Sequence, residues 1–309
     1  MIRTCVVLSV LVALGLAPAG LEKVKLEFKH PEGQSTTVES SSKTHQILSI
    51  AGMDVETTSQ NRITVVSTIG KRGADGRLPI QQKVEAINVQ LMTPVFNVTF
   101  DSSNPNAKDD NPMVQAILDT IRARLGTSHT IVLGKDNKVI AIEGLDKILE
   151  RASPAAVEGL KNELNPEQLK KAAEQSYNTL PTEPVGEGDT WTRTIATSIG
   201  GGQTLTFESK FEYLGTVEKD GKKLDKIATT ATSVTYAMDP NLPTPVKVTQ
   251  SSLKIESSKG TILFDRAKGQ AVESSSNNHI VGDMTLTANG MDFPSELDLT
   301  IESSSAVTK

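Results

Sequence analysis

The stretch "TLTFESKFEYLG", residues 204–215, decides the fold class. Leu205, Phe207, Phe211 and Tyr213 occupy alternate positions, with Thr206, Glu208, Lys210 and Glu212 between them. Successive side chains of a strand point to opposite faces, so this pattern makes one apolar and one polar face. Such a strand belongs to an antiparallel sheet with one side on a core. The same period recurs in "KVKLEFKH" (23–30), through Val24, Leu26 and Phe28, and in "RITVVSTIG" (62–70), through Ile63, Val65 and Ile69. "SELDLTIESS" (295–304) turns Leu297, Leu299 and Ile301 inward. "PIQQKVEAINVQLM" and "VFNVTF" show it less cleanly, and the Ser/Thr/Glu-rich stretch 35–60 reads equally as solvent-facing strands or loop. In "PVKVTQSSLKIESS" the apolar parity switches between Val248 and Leu253, which predicts a bulge or bend near Ser251 and Ser252. "KGTILFDRAKGQAVESSS" predicts a hairpin with Gly269 in its turn.

Between the two strand-rich flanks the period changes. The polar stretch 101–112 ends in Asn111-Pro112, an N-cap followed by a proline at the first helical position. Val114, Ile117, Leu118, Ile121 and Leu125 then form one apolar helix face, and Gly126 stops it. "SHTIVLGKDNKVIAIEG" (128–144) predicts a hairpin turning at 135–137. Three short helices follow, two of them opened by Ser153-Pro154 and Asn165-Pro166. The expected fold is α+β: curved antiparallel sheets, or two half-barrels from two β-meander halves, packed around a central helical segment. The expected layout is one β-rich domain over 20–303. Its first β half is 20–100, the helix-rich centre 111–180, the junction 181–190 and the second β half 191–303, with a tail at 304–309.

The first 19 residues carry Arg3, an apolar run from Cys5 to Leu16, and Ala17-Pro18-Ala19. The run is short for a bilayer span and has the form of a cleaved secretory signal, with an uncleaved anchor as the alternative. The expected location is therefore periplasmic or extracellular. Cys5 is the only cysteine, so its removal leaves no disulfide, thiolate metal site or cysteine nucleophile. Loss of Arg3 takes the formal net charge from −5 to −6, and no basic block gives nucleic acid a footprint. After the signal no apolar stretch is long enough to span a membrane.

Motifs for chemistry are weak. His30, His45, His129 and His279 have no metal-ligand spacing. The acidic loop at 101–111 has Asn106 where a calcium loop needs glycine and Pro112 where it needs glutamate. "IGGGQ" (199–203) reads as a hairpin tip. "SSSK" (40–43) and "SSLK" (251–254) match Ser-x-x-Lys only formally. Neither a cofactor nor a metal is expected.

"LPTEPVGEGDTWTRT" (180–194) holds the only tryptophan, Trp191. Pro181 and Pro184 end the last helix, Gly188 permits a turn, Asp189 caps it, and Trp191 is the first inward residue of the next strand. The pattern P-x-x-P-V-x-x-G-D-T-W resembles a junction in a family of uncharacterised exported bacterial proteins, a domain of unknown function. "GKDNKVIAIEGLDKIL" and "GTILFDRAKGQAVESS" are similar to that family too. The resemblance implies export and a β-rich fold, and it supplies no catalytic residue. The architecture is also similar to periplasmic lipoprotein carriers and related lipid-binding proteins, a likeness at fold level only.

The function expected from the sequence is a non-enzymatic binding or envelope-associated protein, holding an apolar or lipid ligand between sheet and helices. Phe207, Phe211, Tyr213, Ile117 and Ile121 are the candidate lining residues. Two alternatives stand beside it: a hydrolase using Glu187 or Asp189, and a structural protein that binds another envelope component.

Overall fold

The computed structural model describes residues 23–200, 202–239 and 246–309; the signal segment, Cys5 and Gly201 lie outside them. The first flank folds as β1 (Ser35–Ile50), β2 (Met53–Ile69), β3 (Leu78–Met92) and β4 (Asn97–Asp101). The centre holds α1 (Pro112–Arg124), β5 (Ser128–Leu133), β6 (Val139–Glu143), α2 (Asp146–Glu150), α3 (Pro154–Glu163) and α4 (Pro166–Tyr177). The second flank is β7 (Thr190–Gly200), β8 (Gln203–Lys219), β9 (Lys222–Met238), β10 (Val246–Asp265), β11 (Gln270–Ala288) and β12 (Met291–Val307).

All twelve strands form one antiparallel sheet, in the order β6-β5-β3-β2-β1-β12-β11-β10-β9-β8-β7, with β4 also paired to β3. The two halves expected from the sequence are therefore fused. β1 and β12 pair in register from Val38↔Val307 to Ile50↔Ser295. The undecided stretch 35–60 is strand, because its Ser and Thr side chains face neighbours on both sides of this central ladder. The last strand runs to Val307, past the expected limit at 303, and Thr37 exchanges backbone hydrogen bonds with Thr308 and Lys309.

The sheet is curled and unclosed. Long strands twist, and extra residues bend them further. Register shifts fall at Thr64/Val65, Glu208/Ser209, Tyr213/Thr216, Ile255/Ser257 and Leu263/Phe264. The parity break expected near Ser251 lies between Val248 and Gln250. The curl brings inner faces of distant strands together. Leu205, Phe207, Ile280, Leu297 and Leu299 form one core cluster, and Phe211, Tyr213, Ile227 and Phe264 form a second.

The helices do not sit at the centre of this curl as expected. α1 packs Val114 and Leu118 on Ile87, Val98 and Phe100 of β3 and β4. Its neighbour α3 adds Ala156 and Leu160 against Ala123. The expected caps form on α1 and α4, where Asn111 accepts from the Met113 N–H and Asn165 from those of Glu167 and Gln168. Ser153 instead turns its hydroxyl to Asp119, 3.3 Å away.

α4 lies between the two edges of the sheet. Ala173 and Tyr177 pack on the Leu78, Ile80, Ile131, Leu133 and Val139 cluster of β3, β5 and β6. On the other side the Gln175 side chain accepts the backbone N–H of Ala196 on edge strand β7, at 3.1 Å. An open sheet edge exposes unpaired backbone groups, and a helix laid along it blunts that liability.

Segment 23–30 keeps its alternation but is no strand of the sheet. Its only bridge is Val24↔Val185. Leu26 is buried at 2% exposure in the cluster of Phe211 and Phe264, so the segment closes one end of the curl. Lys29 N–H bonds the Gly269 carbonyl at 2.9 Å and ties it to the β10–β11 turn.

Candidate functional site

A concavity of about 460 Å³ opens on the inner face of the sheet, between the two core clusters. Its apolar lining comes from Phe207 and Phe211 of β8, Ile195 of β7, Ile262 of β10, Ile63 of β2 and Ile301 of β12. Its main polar lining is built from three tripeptides with the same sequence. Ser40-Ser41-Ser42 of β1 pairs in register with Ser305-Ser304-Ser303 of β12, which pairs with Ser274-Ser275-Ser276 of β11. The three runs form a three-by-three block of serines in the middle of the sheet.

Strand parity sorts the block. Ile301 on β12 and Ile280 on β11 are buried inward, so Ser303, Ser305, Ser274 and Ser276 face the same way. Directly paired residues share a face, which places Ser40 and Ser42 with them. The middle row, Ser41, Ser304 and Ser275, faces out. Asn61 of β2 and Asn278 of β11 extend the inner polar wall.

Some of these groups are engaged. Ser274 and Ser305 hydroxyls lie 2.9 Å apart. Ser258 accepts the Ala231 N–H and donates to Asn278 Oδ1, both at 2.7 Å. Ser40, Ser42, Ser276 and Ser303 have no side-chain hydrogen bond among the described residues. No Asp, Glu, Lys, Arg or His lines the concavity among the described residues. A molecule placed here would meet apolar surface and neutral hydrogen-bonding groups.

Of the residues singled out from the sequence, Phe207 and Phe211 line this space. Tyr213 has the right parity but sits deeper, 3% exposed, with its hydroxyl donated to Asp225 at 2.8 Å. Ile117 and Ile121 pack with α1 against β3 and β4, in a different cluster, and do not line it. The structure therefore separates the helix half of the expected set from the sheet half. The helix was expected to roof the apolar face, but the curled sheet covers that face with itself.

The junction holds one end of the space. Trp191 stacks on Phe211, with ring centroids 5.6 Å apart and planes 14° from parallel. Its Nε1–H donates to the Thr179 carbonyl at 2.8 Å. Arg193 donates to the carbonyls of Asn178 (2.7 Å) and Leu180 (2.6 Å), where α4 ends. A cation at a helix C-terminus meets unsatisfied carbonyls and the negative dipole end. Gly188 takes φ +86°, the conformation the turn requires. Asp189 accepts the Gly186 N–H at 2.9 Å, and Lys23 lies 3.3 Å away. That N–H first, and Lys23 second, hold its carboxyl below the usual value. Pro181 and Pro184 lie in the loop that follows α4.

Glu187 is exposed, and neither it nor Asp189 lines the concavity. The Ser-x-x-Lys matches also fail geometrically. Residues three apart in a strand face opposite ways, so Ser40 and Lys43 sit on different sides of β1. His45 and His279 make surface pairs with Glu56 and Asp298, each at 2.9 Å. No group of three metal-ligating side chains converges among the described residues.

Sequence reasoning missed the serine wall. A signal for it exists: Glu-Ser-Ser-Ser occurs at 39–42, 273–276 and 302–305. Alone these read as low-information polar strand, and their meaning depends on register.

The convex face of the sheet is charged. Glu296, Asp298 and Glu302 on β12 and Glu208 and Lys210 on β8 point outward and are exposed. A transmembrane barrel instead turns an apolar band outward. No helix among the described residues is long and apolar enough to cross a membrane.

Among solved structures, the fold is similar to a lipovitellin structure described by its lipid–protein interactions. That likeness has a TM-score of 0.45 and 8% identity, and it covers 91% of this chain but spans only 26% of that one. DynF from the dynemicin biosynthesis pathway of Micromonospora chersina gives a TM-score of 0.19 at 9% identity, covering 96% of this chain and 91% of that one. An outer membrane channel from Pseudomonas putida F1 gives 0.21 at 11% identity, covering 94% and 99%. Likenesses this distant carry no functional weight. Comparison of the sequence with curated proteins returns no match. A family of unknown function, DUF6263, matches residues 75–271, a span that includes the junction motif, and the chain belongs to that family.

Proposed function

We propose that this is an exported, non-enzymatic binding protein that holds an amphipathic small molecule in the concavity of its sheet. The observation that carries the reading is one concavity lined both by Phe and Ile side chains and by serine hydroxyls. Small-molecule sites are concave, largely apolar and furnished with a few placed polar groups, in the range of about 300–1,000 Å³. A space of about 460 Å³ encloses about 15 non-hydrogen atoms at ~30 Å³ each, so a somewhat larger amphiphile leaves part of itself at the open mouth. The enclosed volume is smaller than a phospholipid with two chains.

Native mass spectrometry after detergent-free purification tests it. The expected result is a bound small molecule, released by organic denaturation. Trp191, stacked on a lining phenylalanine, supplies a second readout through its fluorescence. A ligand-free protein whose Trp191 emission responds to no amphiphile sinks the reading.

A second reading, docking of another envelope component, is favoured by apolar hairpin tips. Met53, Met92, Val95 and Met291 are 70, 56, 83 and 59% exposed and lie at the same end of the sheet. Replacing all four with serine and repeating an affinity capture from envelope extract distinguishes it. A captured protein lost only in the variant supports docking.

A further inference from the structure

We infer that the concavity selects neutral, hydroxyl-bearing amphiphiles, with the hydroxylated part of the ligand on the serines and the hydrocarbon part on Phe207 and Phe211. This rests on the binding reading above and names its ligand class. Three observations converge. First, the lining is uncharged throughout its described residues, so an ionised group entering it finds no counter-charge. A charge taken from water without a partner is disfavoured far more than a neutral hydroxyl.

Second, the polar wall is built from hydroxyls that both donate and accept. The Ser40, Ser42, Ser276 and Ser303 side chains bond no other described residue, and all four belong to strands adjacent in one ladder. Inter-strand spacing is close to 4.8 Å, so inward hydroxyls recur at that interval across the wall. This suits a ligand with several hydroxyl groups rather than one head atom. Third, the inward face of β12 changes along the strand from Leu299 and Ile301, which pack with Phe207, to Ser303 and Ser305. A carboxylate set among the hydroxyls finds no counter-charge there. A molecule with one polyhydroxyl part and one hydrocarbon part satisfies both stretches together.

The test uses three probes with the same eight-carbon chain below their micelle concentrations: octyl glucoside, octanoate and octyltrimethylammonium. Binding to the full mature chain is measured at pH 8 by calorimetry and Trp191 fluorescence. Octyl glucoside is expected to bind at least about tenfold more tightly than either ion. The double variant Ser276→Ala, Ser303→Ala removes two hydroxyls and adds no bulk. It is expected to weaken octyl glucoside about tenfold, from two neutral hydrogen bonds, and to leave the ions unchanged. The variant Phe211→Leu is expected to weaken all three. Equal binding of the three probes, or a serine variant that binds octyl glucoside as the parent does, overturns the selectivity and leaves the binding reading standing. No binding of any probe to a folded parent overturns both.

Discussion

Replacing Asp225 with alanine removes the acceptor at the centre of the closed end. Asp225 is 1% exposed and takes two bonds from Arg266 (2.9 and 2.8 Å) and one from the Tyr213 hydroxyl (2.8 Å). Thr216 Oγ1 lies 3.3 Å away. Burial, the largest cause, raises the Tyr213 phenol above its usual value, so it remains a donor. Orphaning that buried hydroxyl costs about 1–3 kcal/mol. The Arg266 bonds count for about 1 kcal/mol, since its side chain is 41% exposed and water screens the pair. Relief from burying a carboxylate offsets part of the loss. The net expectation is about 2–3 kcal/mol, which lowers Tm by about 4–6 °C at ~2 °C per kcal/mol in a chain this long.

The assay is thermal unfolding followed by Trp191 fluorescence for the parent, Asp225→Ala, Tyr213→Phe and the double variant. Tyr213→Phe should cost about 1 kcal/mol in the parent and close to nothing beside Asp225→Ala, where the hydroxyl is already orphaned. A Tm within about 1 °C of the parent for Asp225→Ala refutes the reasoning, as does full additivity in the double variant.

Three further outcomes follow from α4 at the sheet edge, the closed end and the half-buried His30 and His129. Gln175→Ala should speed hydrogen exchange at the Ala196 amide about fivefold, the equivalent of ~1 kcal/mol for one bond; unchanged exchange means α4 does not protect that edge. Gly269→Ala places a methyl 2.5 Å from Lys29 Cβ at φ +66°, so the segment 23–30 must move. The expected signs are a stability loss above ~1 kcal/mol and faster proteolysis within that segment, and an unchanged digestion pattern contradicts it. Burial first, and then Arg72 for His30 or Arg124 for His129, hold both imidazoles below 6.5. Their neutral forms are favoured in the fold, so the unfolded chain takes up protons first. Their contribution is present above about pH 6.5 and is lost as pH falls through the folded values. Tm should drop between pH 7.5 and 5, with a shallower slope in the double variant His30→Gln, His129→Gln; identical slopes count against it.

The local structure was legible because it is written in short-range patterns. Alternation at 204–213 made a strand, Asn-Pro pairs made helix starts, and Gly188 with Asp189 made a turn. Each depends on neighbours within a few residues. The bulge was legible too, though it fell at Val248/Gln250 rather than at Ser251. The stretch 35–60 resisted because serine and threonine carry too little hydrophobic contrast to show a period.

The sequence by itself determined most element types outside 23–30 and 35–60, the inward parity of Phe207 and Phe211, and the character of the Trp191 junction. Tertiary structure alone decided that the two flanks are one sheet, that its helices flank it rather than fill it, and that Ile117 and Ile121 belong elsewhere. It also decided that three Ser-Ser-Ser runs from the two ends of the chain lie side by side. The physical reason is register. A strand's own residues say which way each side chain points, but which strand lies beside it depends on contacts between distant parts of the chain. The mixed lining of the concavity exists only once β1, β12 and β11 have aligned and the curl has carried them over to β8.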